Sequence, residues 1–374
     1  MAIIESITTQ LVDLPTIRPH VLAMAALERR TLAIVRLRCS DGVEGVGEAT
    51  SIGGLSYGGQ SPEGVKLHID SFMRPLLLNQ RATNVHGAMA LLDSHVQGNS
   101  FAKAAIETAL LDAHGKRCGV SIADLLGGAV RNALPVLWTL ASGDTGKDIE
   151  EAEALLSARR HRVFKLKLGR GALKEDLAHA LEIQRALGGR AQIIVDVNQR
   201  WEEAEAAHGI AVLEAAGVAL IEQPISRHNR AGMARLAARF VVPLMADEAF
   251  DGPEDAFELA RQGAADVFSL KVLKAGGLYS VMRAAAVGDA AGVALYGGTM
   301  LEGTIGTLAG AHVFRTLPRL SWGTELFGPL LLQEDIVTEK PQYRDFQLEV
   351  PQGPGLGVTL DEDKLQFYSR DRQR

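Results

Sequence analysis

The segment VFKLKLGRGALKEDLAHALEIQRALGGRAQIIVDVN, residues 163–198, decides the fold of this 374-residue chain. It starts with a short apolar run and continues over 173–187 with apolar residues at helical spacing. Gly188 and Gly189 then separate this helix from a second apolar run, as glycines at helix ends often do. The segment therefore predicts one β–α–β unit with parallel strands.

The same unit recurs along the chain at a period of about 25 residues. Eight apolar runs belong to the series: 136–140, 163–168, 193–197, 219–222, 243–247, 267–272, 293–296 and 320–325. Eight strand-then-helix units predict a (β/α)₈-type barrel. The alternative is an open doubly wound sheet, which should carry G-x-G-x-x-G after its first strand. The chain has no such motif and no GxxxxGK[ST], so we favour the barrel.

A different pattern precedes the barrel. Alternating β-rich runs at 3–14, 31–39 and 43–49 are followed by helical spacing over 62–118. Strands followed by helices indicate a small α+β domain. Because strand and turn signals return from residue 341, we expect the tail to rejoin this first domain. We predict an α+β capping domain over 1–130, completed by 341–374, and a barrel domain over 131–340.

Composition excludes several classes of protein. The chain has 39 Lys and Arg against 45 Asp and Glu, a net charge of −6, which disfavours nucleic-acid binding. The two cysteines, Cys39 and Cys118, are far apart and imply neither a disulfide framework nor a cysteine zinc site. The N-terminus lacks a signal-peptide pattern, and no stretch is apolar enough to span a membrane. We therefore expect a cytoplasmic protein without a membrane partner.

Polar side chains stand near the ends of the predicted barrel strands, where barrel enzymes carry their active sites. Lys165 and Lys167 share one face of the second run because strand residues alternate. The other polar residues are Asp196, Asn198, Glu222, Asp247, Glu248, Ser269, Lys271 and Glu325. Alternation predicts opposite faces for the adjacent Asp247 and Glu248.

Three of these residues suggest a metal site. Asp196, Glu222 and Asp247 come from three successive strands at the same relative position. Convergent carboxylates repel one another unless a cation lies between them. Oxygen ligands with room for water or substrate suit Mg²⁺ or Mn²⁺ better than zinc. A metal and a neighbouring amine would also lower the pKa of a lysine, which could then move a proton at the carbon beside a carboxylate.

The motifs K-x-K (165–167), D-x-N (196–198), IEQP (221–224), ADE (246–248) and LK (270–271) resemble the muconate cycloisomerase subgroup of the enolase superfamily. The resemblance extends over the whole chain. It includes DLPTIRPH (13–20), EATSIGGLSYG (48–58), YGGTMLEG (296–303), WGTELFGPLLL (322–332) and PQYRDFQL (341–348). The fold that this implies is an α/β modified TIM barrel, (β/α)₇β, with an N-terminal α+β capping domain.

The resemblance also implies a reaction, the reversible syn-cycloisomerisation of cis,cis-muconate to muconolactone through an enolate. Asp196, Glu222 and Asp247 would bind one Mn²⁺ or Mg²⁺. Lys167 would be the acid/base, supported by Lys165, while Lys271 faces the other side of the substrate. Four further residues would contact or hold the substrate: Ile52 and Tyr57 on the glycine-rich loop, Asn198, and Phe327, with Glu325 at the reacting end. The partner would be a small dicarboxylate, and the assembly a homo-oligomer such as an octamer.

Several alternatives stay open. Chloromuconate cycloisomerase, N-acyl amino acid racemase, o-succinylbenzoate synthase and dipeptide epimerase use the same scaffold, although Tyr57 and Phe327 resemble the non-chlorinated type. GLSYG at 54–58 also matches the G-x-S-x-G of serine hydrolases, with Ser56 as nucleophile, but Gly58, Gly59 and Pro62 disfavour the helix that should follow. We interpret Lys274, one turn beyond Lys271, as a solvated loop charge.

Overall fold

The structure, a computed structural model, describes residues 2–21 and 26–370. Its N-terminal part is an antiparallel sheet in the order β1-β2-β3. The three strands are β1 (Ile4–Val21), β2 (Ala26–Cys39) and β3 (Glu44–Thr50). The first two strands are longer than predicted because their pairing continues past Pro15 after a shift of register. The α+β pattern of this region is as predicted.

Helices cover this sheet. They are α1 (Pro62–His68), α2 (Arg74–Leu77), α3 (Val85–His95), α4 (Ser100–Cys118) and α5 (Ile122–Leu125), with a π-helical turn at Ile69–Met73. Most side chains of α4 are buried, including Glu107 and Asp112. A helix buried on most sides lies between two layers, and α4 contacts both β3 and the helices that follow the sixth barrel strand.

A seven-stranded parallel sheet forms the barrel, in the order β11-β10-β9-β8-β7-β6-β5. A short strand β4 (Ala133–Pro135) precedes it. The barrel strands are β5 (Trp138–Leu140), β6 (Val163–Lys167), β7 (Gln192–Asp196), β8 (Leu220–Glu222), β9 (Leu244–Ala246), β10 (Val267–Leu270) and β11 (Ala294–Gly297). The connecting helices are α6 (Thr145–Ser157), α7 (Leu173–Leu187), α8 (Glu203–Ala215), α9 (Arg230–Arg239), α10 (Pro253–Gln262), α11 (Val272–Ala275), α12 (Leu278–Ala291) and α13 (Thr304–Phe314).

The eighth predicted run, 320–325, does not form a ladder strand. Thr324 alone bridges in parallel to Val136 on one edge of the sheet and to Gly297 on the other. Gly323 precedes it with φ +65, a turn conformation that interrupts any longer strand. The barrel therefore closes at Thr324, between its first and seventh strands, and Trp322, Gly323 and Glu325 add backbone hydrogen bonds to the seventh strand.

The tail contacts both parts of the molecule. A 3₁₀ turn (Gly328–Leu331) leads to β12 (Tyr343–Arg344) and β13 (Gln347–Glu349), and then to α14 (Glu362–Phe367). Strand β13 lies between β12 and β4 and pairs with both. Leu356 N donates to Asp112 Oδ1 (2.8 Å), and Arg370 bonds Asp13 (2.6 Å). The tail thus returns to the first domain, whereas the boundaries at 130 and 340 stay predictions. Within the described ranges, none of the helices has the length and apolar character needed to cross a membrane.

Candidate active site

Charged residues follow one another around the carboxyl edge of the barrel. Lys167, Asp196 and Glu222 are the last residues of β6, β7 and β8, and the ladder pairs Asp196 with both of its neighbours. Asp247 follows β9 directly, and Lys271 follows β10. The strand order therefore places three carboxylates between two lysines. Parallel strands bring their carboxyl ends to one edge, so sequence spacing alone predicts this order.

These residues surround a small cavity of about 20 Å³. Nine predicted residues line it: Ile52, Tyr57, Lys167, Asn198, Glu222, Asp247, Lys271, Glu325 and Phe327. Asp196 and Lys165 lie behind the lining and contact it by ion pairs. Sequence reasoning missed three further lining residues, Thr139, Thr299 and Leu301. Thr139 and Thr299 follow the same strand-end rule and could have been found by it, whereas nothing in the sequence marks Leu301.

Lys165 joins two of the carboxylates. Its Nζ lies 2.6 Å from Glu222 Oε2 and 2.9 Å from Glu325 Oε2, and the lysine is fully buried. Burial alone would lower the pKa of Lys165, but Glu222 and Glu325 outweigh it and raise the pKa well above its usual value. Lys165 is therefore a fixed positive charge directly behind the lining of the cavity.

Lys167 pairs with Asp196 at 2.5 Å. We expected a lowered pKa for this lysine, whereas the structure gives a raised one. Burial is the largest effect and lowers the pKa of Lys167, but the carboxylates of Asp196, Glu325 and Glu222 together outweigh burial and the nearby Lys165. The pKa of Lys167 thus depends on how strongly Asp196 interacts with other positive groups.

Asp247 meets groups from both domains. Its Oδ2 lies 2.8 Å from Lys271 Nζ and accepts a hydrogen bond of 2.6 Å from the Tyr57 hydroxyl. Lys271 also donates to that hydroxyl (2.9 Å). Burial would raise the pKa of Asp247, but Lys271 and Lys274 lower it well below its usual range. The same contact raises the pKa of Lys271 to about 12, against its burial.

Our interpretation of Lys274 was wrong. Its side chain is buried, its Nζ donates to the Asp247 carbonyl oxygen (2.5 Å), and it lies 3.4 Å from Asp251 Oδ1. Lys271 and Lys274 belong to the turn of the short helix α11, which folds back across the end of the barrel. Because the prediction assumed an open loop after the sixth strand, it placed Lys274 in solvent.

The prediction of opposite faces for Asp247 and Glu248 was also wrong. Asn198 Nδ2 donates to Glu248 Oε1 (3.1 Å) and to Asp196 Oδ2 (3.2 Å), so Glu248 belongs to the same cluster. Strand β9 ends at Ala246, so strand alternation does not govern the next two residues. Burial and the Asp247 charge raise the pKa of Glu248 to about 7.

The residues present fit a divalent cation by charge and by donor type. Buried atoms Glu222 Oε2, Asp247 Oδ1 and Glu248 Oε2 accept no well-aligned hydrogen bond, although Lys165 Nζ is close to the first. Burial raises the pKa of Glu222 most, and the neighbouring carboxylates Asp196 and Asp247 raise it further. All candidate ligands are oxygens. In the described part of the chain, however, no three Asp, Glu, His or Cys side chains converge closely enough to hold an ion, because lysines occupy the carboxylates.

Ser56 does not have the geometry of a nucleophile elbow. Its hydroxyl donates to the Gly53 carbonyl oxygen (2.8 Å) within a turn, and the next helix begins only at Pro62. An elbow needs a strand leading directly through the serine into a helix. The serine-hydrolase alternative therefore has no structural support.

Two family models match the chain. Residues 6–127 match the mandelate racemase/muconate lactonizing enzyme N-terminal domain, and residues 147–364 match the enolase C-terminal domain-like family. Muconate cycloisomerase 1 of Pseudomonas putida is 58% identical over 96% of each chain. A chloromuconate cycloisomerase of Cupriavidus necator is 44% identical over 98% of this chain and 99% of that one.

Solved structures agree with these relatives. A muconate lactonizing enzyme of Pseudomonas fluorescens, complexed with muconolactone, matches with a TM-score of 0.98 and 59% identity, over 99% of this chain and 100% of that one. The enzyme of Pseudomonas putida matches with a TM-score of 0.95 and 56% identity, over 98% and 100%. The seven-stranded barrel closed by Thr324, its α+β cap and both family models lead to one conclusion: the chain belongs to the mandelate racemase/muconate lactonizing enzyme family of the enolase superfamily.

Proposed function

We propose that this chain is a muconate cycloisomerase, which converts cis,cis-muconate reversibly to muconolactone by syn addition. The observation that carries the proposal is the order of the strand ends around one cavity: lysine, three carboxylates, lysine. Relatives named muconate cycloisomerase, at 54–58% identity over nearly the whole chain, support it. The chloromuconate relatives are less similar, at 44%.

The reaction needs one proton and one new C–O bond. An oxygen of one substrate carboxylate adds to the conjugated diene, and the displaced electron pair moves to the other carboxyl end as an enolate. Lys167 then protonates the α-carbon, and in the reverse direction it removes that proton. General acid/base catalysis of this kind contributes roughly 10²–10⁴-fold to a rate.

The fixed charges around Lys167 support this step. Lys165, held between Glu222 and Glu325, places a permanent positive charge beside the developing enolate. Lys271 lies across the carboxylates from Lys167 and adds a second charge. Ile52 and Tyr57 come from the cap and cover the cavity, and Asn198 and Phe327 line it. Water is thereby restricted near the carbon that receives the proton.

Members of the enolase superfamily use a divalent metal ion. We propose that Asp196, Glu222 and Asp247 hold Mn²⁺ or Mg²⁺ here. Bound there, the ion supplies positive charge for the substrate carboxylate. Because Asp196 would then share its charge with the ion, its pull on the Lys167 proton would weaken, and the pKa of Lys167 would fall toward the working pH.

The remaining features of the proposal concern the protein as a whole. We propose a small dicarboxylate as its substrate, with neither nucleic acid nor membrane as a partner. We also propose a cytoplasmic homo-oligomer, of which an octamer is the form to test. Sedimentation of the purified protein would measure the subunit count directly.

The deciding experiment is incubation with cis,cis-muconate and Mn²⁺, following loss of the diene absorbance. Chlorinated muconates and N-succinyl amino acids should be tested in the same assay. The amino acid derivatives are included because a racemase needs a base on each face of its substrate, and Lys167 and Lys271 could provide them. We expect muconate to have the highest kcat/KM, with activity lost in excess EDTA. Reaction in D₂O should place deuterium syn to the new C–O bond. A higher kcat/KM for an N-succinyl amino acid would contradict the proposal.

A further inference from the structure

The segment that follows β11 has an unusual backbone. Residues 298–303 are irregular, and Leu301 has φ +60, a left-handed conformation that is uncommon for a leucine. Thr299 and Leu301 from this segment line the cavity. A backbone of this kind persists only where its surroundings hold it. The contacts that hold it therefore influence the shape of the cavity.

Arg30 of the cap is the main contact. Its Nη2 donates to the carbonyl oxygens of Met300 (2.6 Å) and Leu301 (2.9 Å), and its Nε also donates to Leu301 (3.1 Å). Its Nη1 donates to the Ser51 carbonyl oxygen (3.1 Å). Ser51 directly precedes Ile52 at the start of the lid loop, which we define as residues 51–59. One buried guanidinium thus binds the backbone on both sides of the cavity.

Glu48 makes a second connection nearby. Its carboxylate accepts hydrogen bonds from Gly303 N (2.6 Å) and Gly306 N (2.9 Å), at the start of α13. A side chain at Gly303 would come within 2.9 Å of Leu32 in the cap, so the two domains approach closely here. Glu48 and Glu302 offset the effect of burial on Arg30, whose pKa still falls to about 10. Arg30 therefore keeps its charge at neutral pH.

We infer that Arg30 and Glu48 are positioning residues, and we call the pair the lid anchor. They set the distance between the lid loop and residues 299–302. This distance determines how the substrate fits between Ile52 and Leu301. Neither residue lines the cavity. Arg30 binds the carbonyl oxygen of the lining residue Leu301 and those of Met300 and Ser51, which adjoin lining residues. Glu48 binds the amides of Gly303 and Gly306 at the end of the same segment. The inference rests on the proposed function for its substrate, although the geometry it describes does not.

The matched control is Glu107, another cap carboxylate. It is equally buried and likewise accepts backbone amides at the start of a barrel helix, those of Leu278 and Tyr279 on α12. Neither of these residues lines the cavity. Weakening the contacts of Glu107 with these amides tests what general loosening of the cap does, without a change at the cavity wall.

The test compares Arg30→Met and Glu48→Gln with Glu107→Gln in full-length protein. For the first two we expect KM for muconate to rise about tenfold with kcat falling less than about threefold, because ground-state and transition-state contacts weaken together. Arg30→Gln, which keeps an amide donor, should recover part of the loss. Glu107→Gln should leave KM within about twofold of the parent chain.

Hydrogen exchange of the amides in residues 51–59 gives a readout that is independent of turnover. We expect faster exchange in Arg30→Met than in Glu107→Gln at equal global stability. The inference would be overturned if Arg30→Met left both KM for muconate and the amide exchange rate of residues 51–59 unchanged. It would also be overturned if Glu107→Gln changed both quantities as much as Arg30→Met does. If the parent chain does not convert muconate, the proposed function fails, and the exchange comparison alone decides the anchor.

Discussion

The lysines and carboxylates at the barrel strand ends are joined by ion pairs of 2.5–2.9 Å, and all of them except Lys167 are buried. The lid loop, by contrast, exposes Leu55 at 67% and contacts the barrel charges through Tyr57. The strand ends are positioned by a continuous ladder of parallel pairing. The lid loop has no such ladder and is held by the contacts at its base and by the side chains of Ile52 and Tyr57. We therefore propose that the reaction chemistry depends on the strand ends and the substrate fit on the more exposed lid loop.

The largest effect should come from the strand ends. Replacing Lys167 by Ala removes the proposed acid/base, and we expect turnover of muconate to fall by roughly 10⁴-fold with the fold retained. The loss of diene absorbance measures the rate, and circular dichroism measures the fold. Lys174→Ala, an exposed lysine on α7, is the control and should keep full activity. Near-normal rates in Lys167→Ala would refute the role of this lysine.

Metal affinity tests the carboxylates in the same region. Glu222→Gln removes one proposed ligand charge, so we expect Mn²⁺ affinity to fall by more than roughly 100-fold, beyond what a supporting group contributes. Calorimetric titration with Mn²⁺ gives the affinity, with the exposed Glu150→Gln as control. An unchanged Mn²⁺ affinity in Glu222→Gln would remove this residue from the site.

The attachment of the barrel to the cap and tail should weaken in acid. His312 on α13 contacts Leu356 O (3.1 Å) and Ala123 N, and burial lowers its pKa to about 4. In the unfolded chain a histidine has a pKa near 6.5. Between about pH 6.5 and about pH 4, His312 is therefore protonated in the unfolded chain but neutral in the folded one. The contribution of His312 to the free energy of unfolding is therefore fully present above this pH range and is lost as the pH falls through it. The loss between pH 7 and pH 5 is about 2 kcal/mol.

Urea unfolding at both pH values measures this difference. His312→Gln should show a shallower dependence on pH, while the exposed His95→Gln should retain the dependence of the parent chain. His161, whose pKa burial also lowers to about 4, would leave some dependence in both variants. Equal slopes in all three proteins would exclude His312 as a source of acid sensitivity.

The smallest effect should come from the lid loop. Tyr57→Phe removes the hydroxyl between Asp247 and Lys271 and keeps the ring, so we expect kcat/KM for muconate to fall about tenfold. Leu55→Ala changes an exposed residue of the same loop and should have no effect. A loss in Tyr57→Phe as large as that in Lys167→Ala would contradict the division between the two regions.

The sequence was most informative where chain geometry is regular. Side chains alternate between the two faces of a strand, and neighbouring parallel strands end at the same edge of the barrel. The residue pattern alone was therefore enough to place Lys165, Lys167 and Asp196 near one another. It was least informative where strands end. Lys274 and Glu248 were misplaced because α11 and the turn after β9 depart from alternation. The contacts of Arg30 at the base of the lid loop correspond to no recognisable pattern in the sequence.

Local periodicity was sufficient to predict the repeating β–α units, the α+β cap and the meeting of lysines and carboxylates at one edge of the barrel. Three other features depend on tertiary packing: closure of the barrel through Thr324, burial of Lys274 against Asp247, and the contacts of Arg30 with Ser51 and Leu301. Each joins residues distant in the chain, and local propensity carries no information about such pairs. Only the packing of cap on barrel and of one strand end on the next brings them within hydrogen-bonding distance.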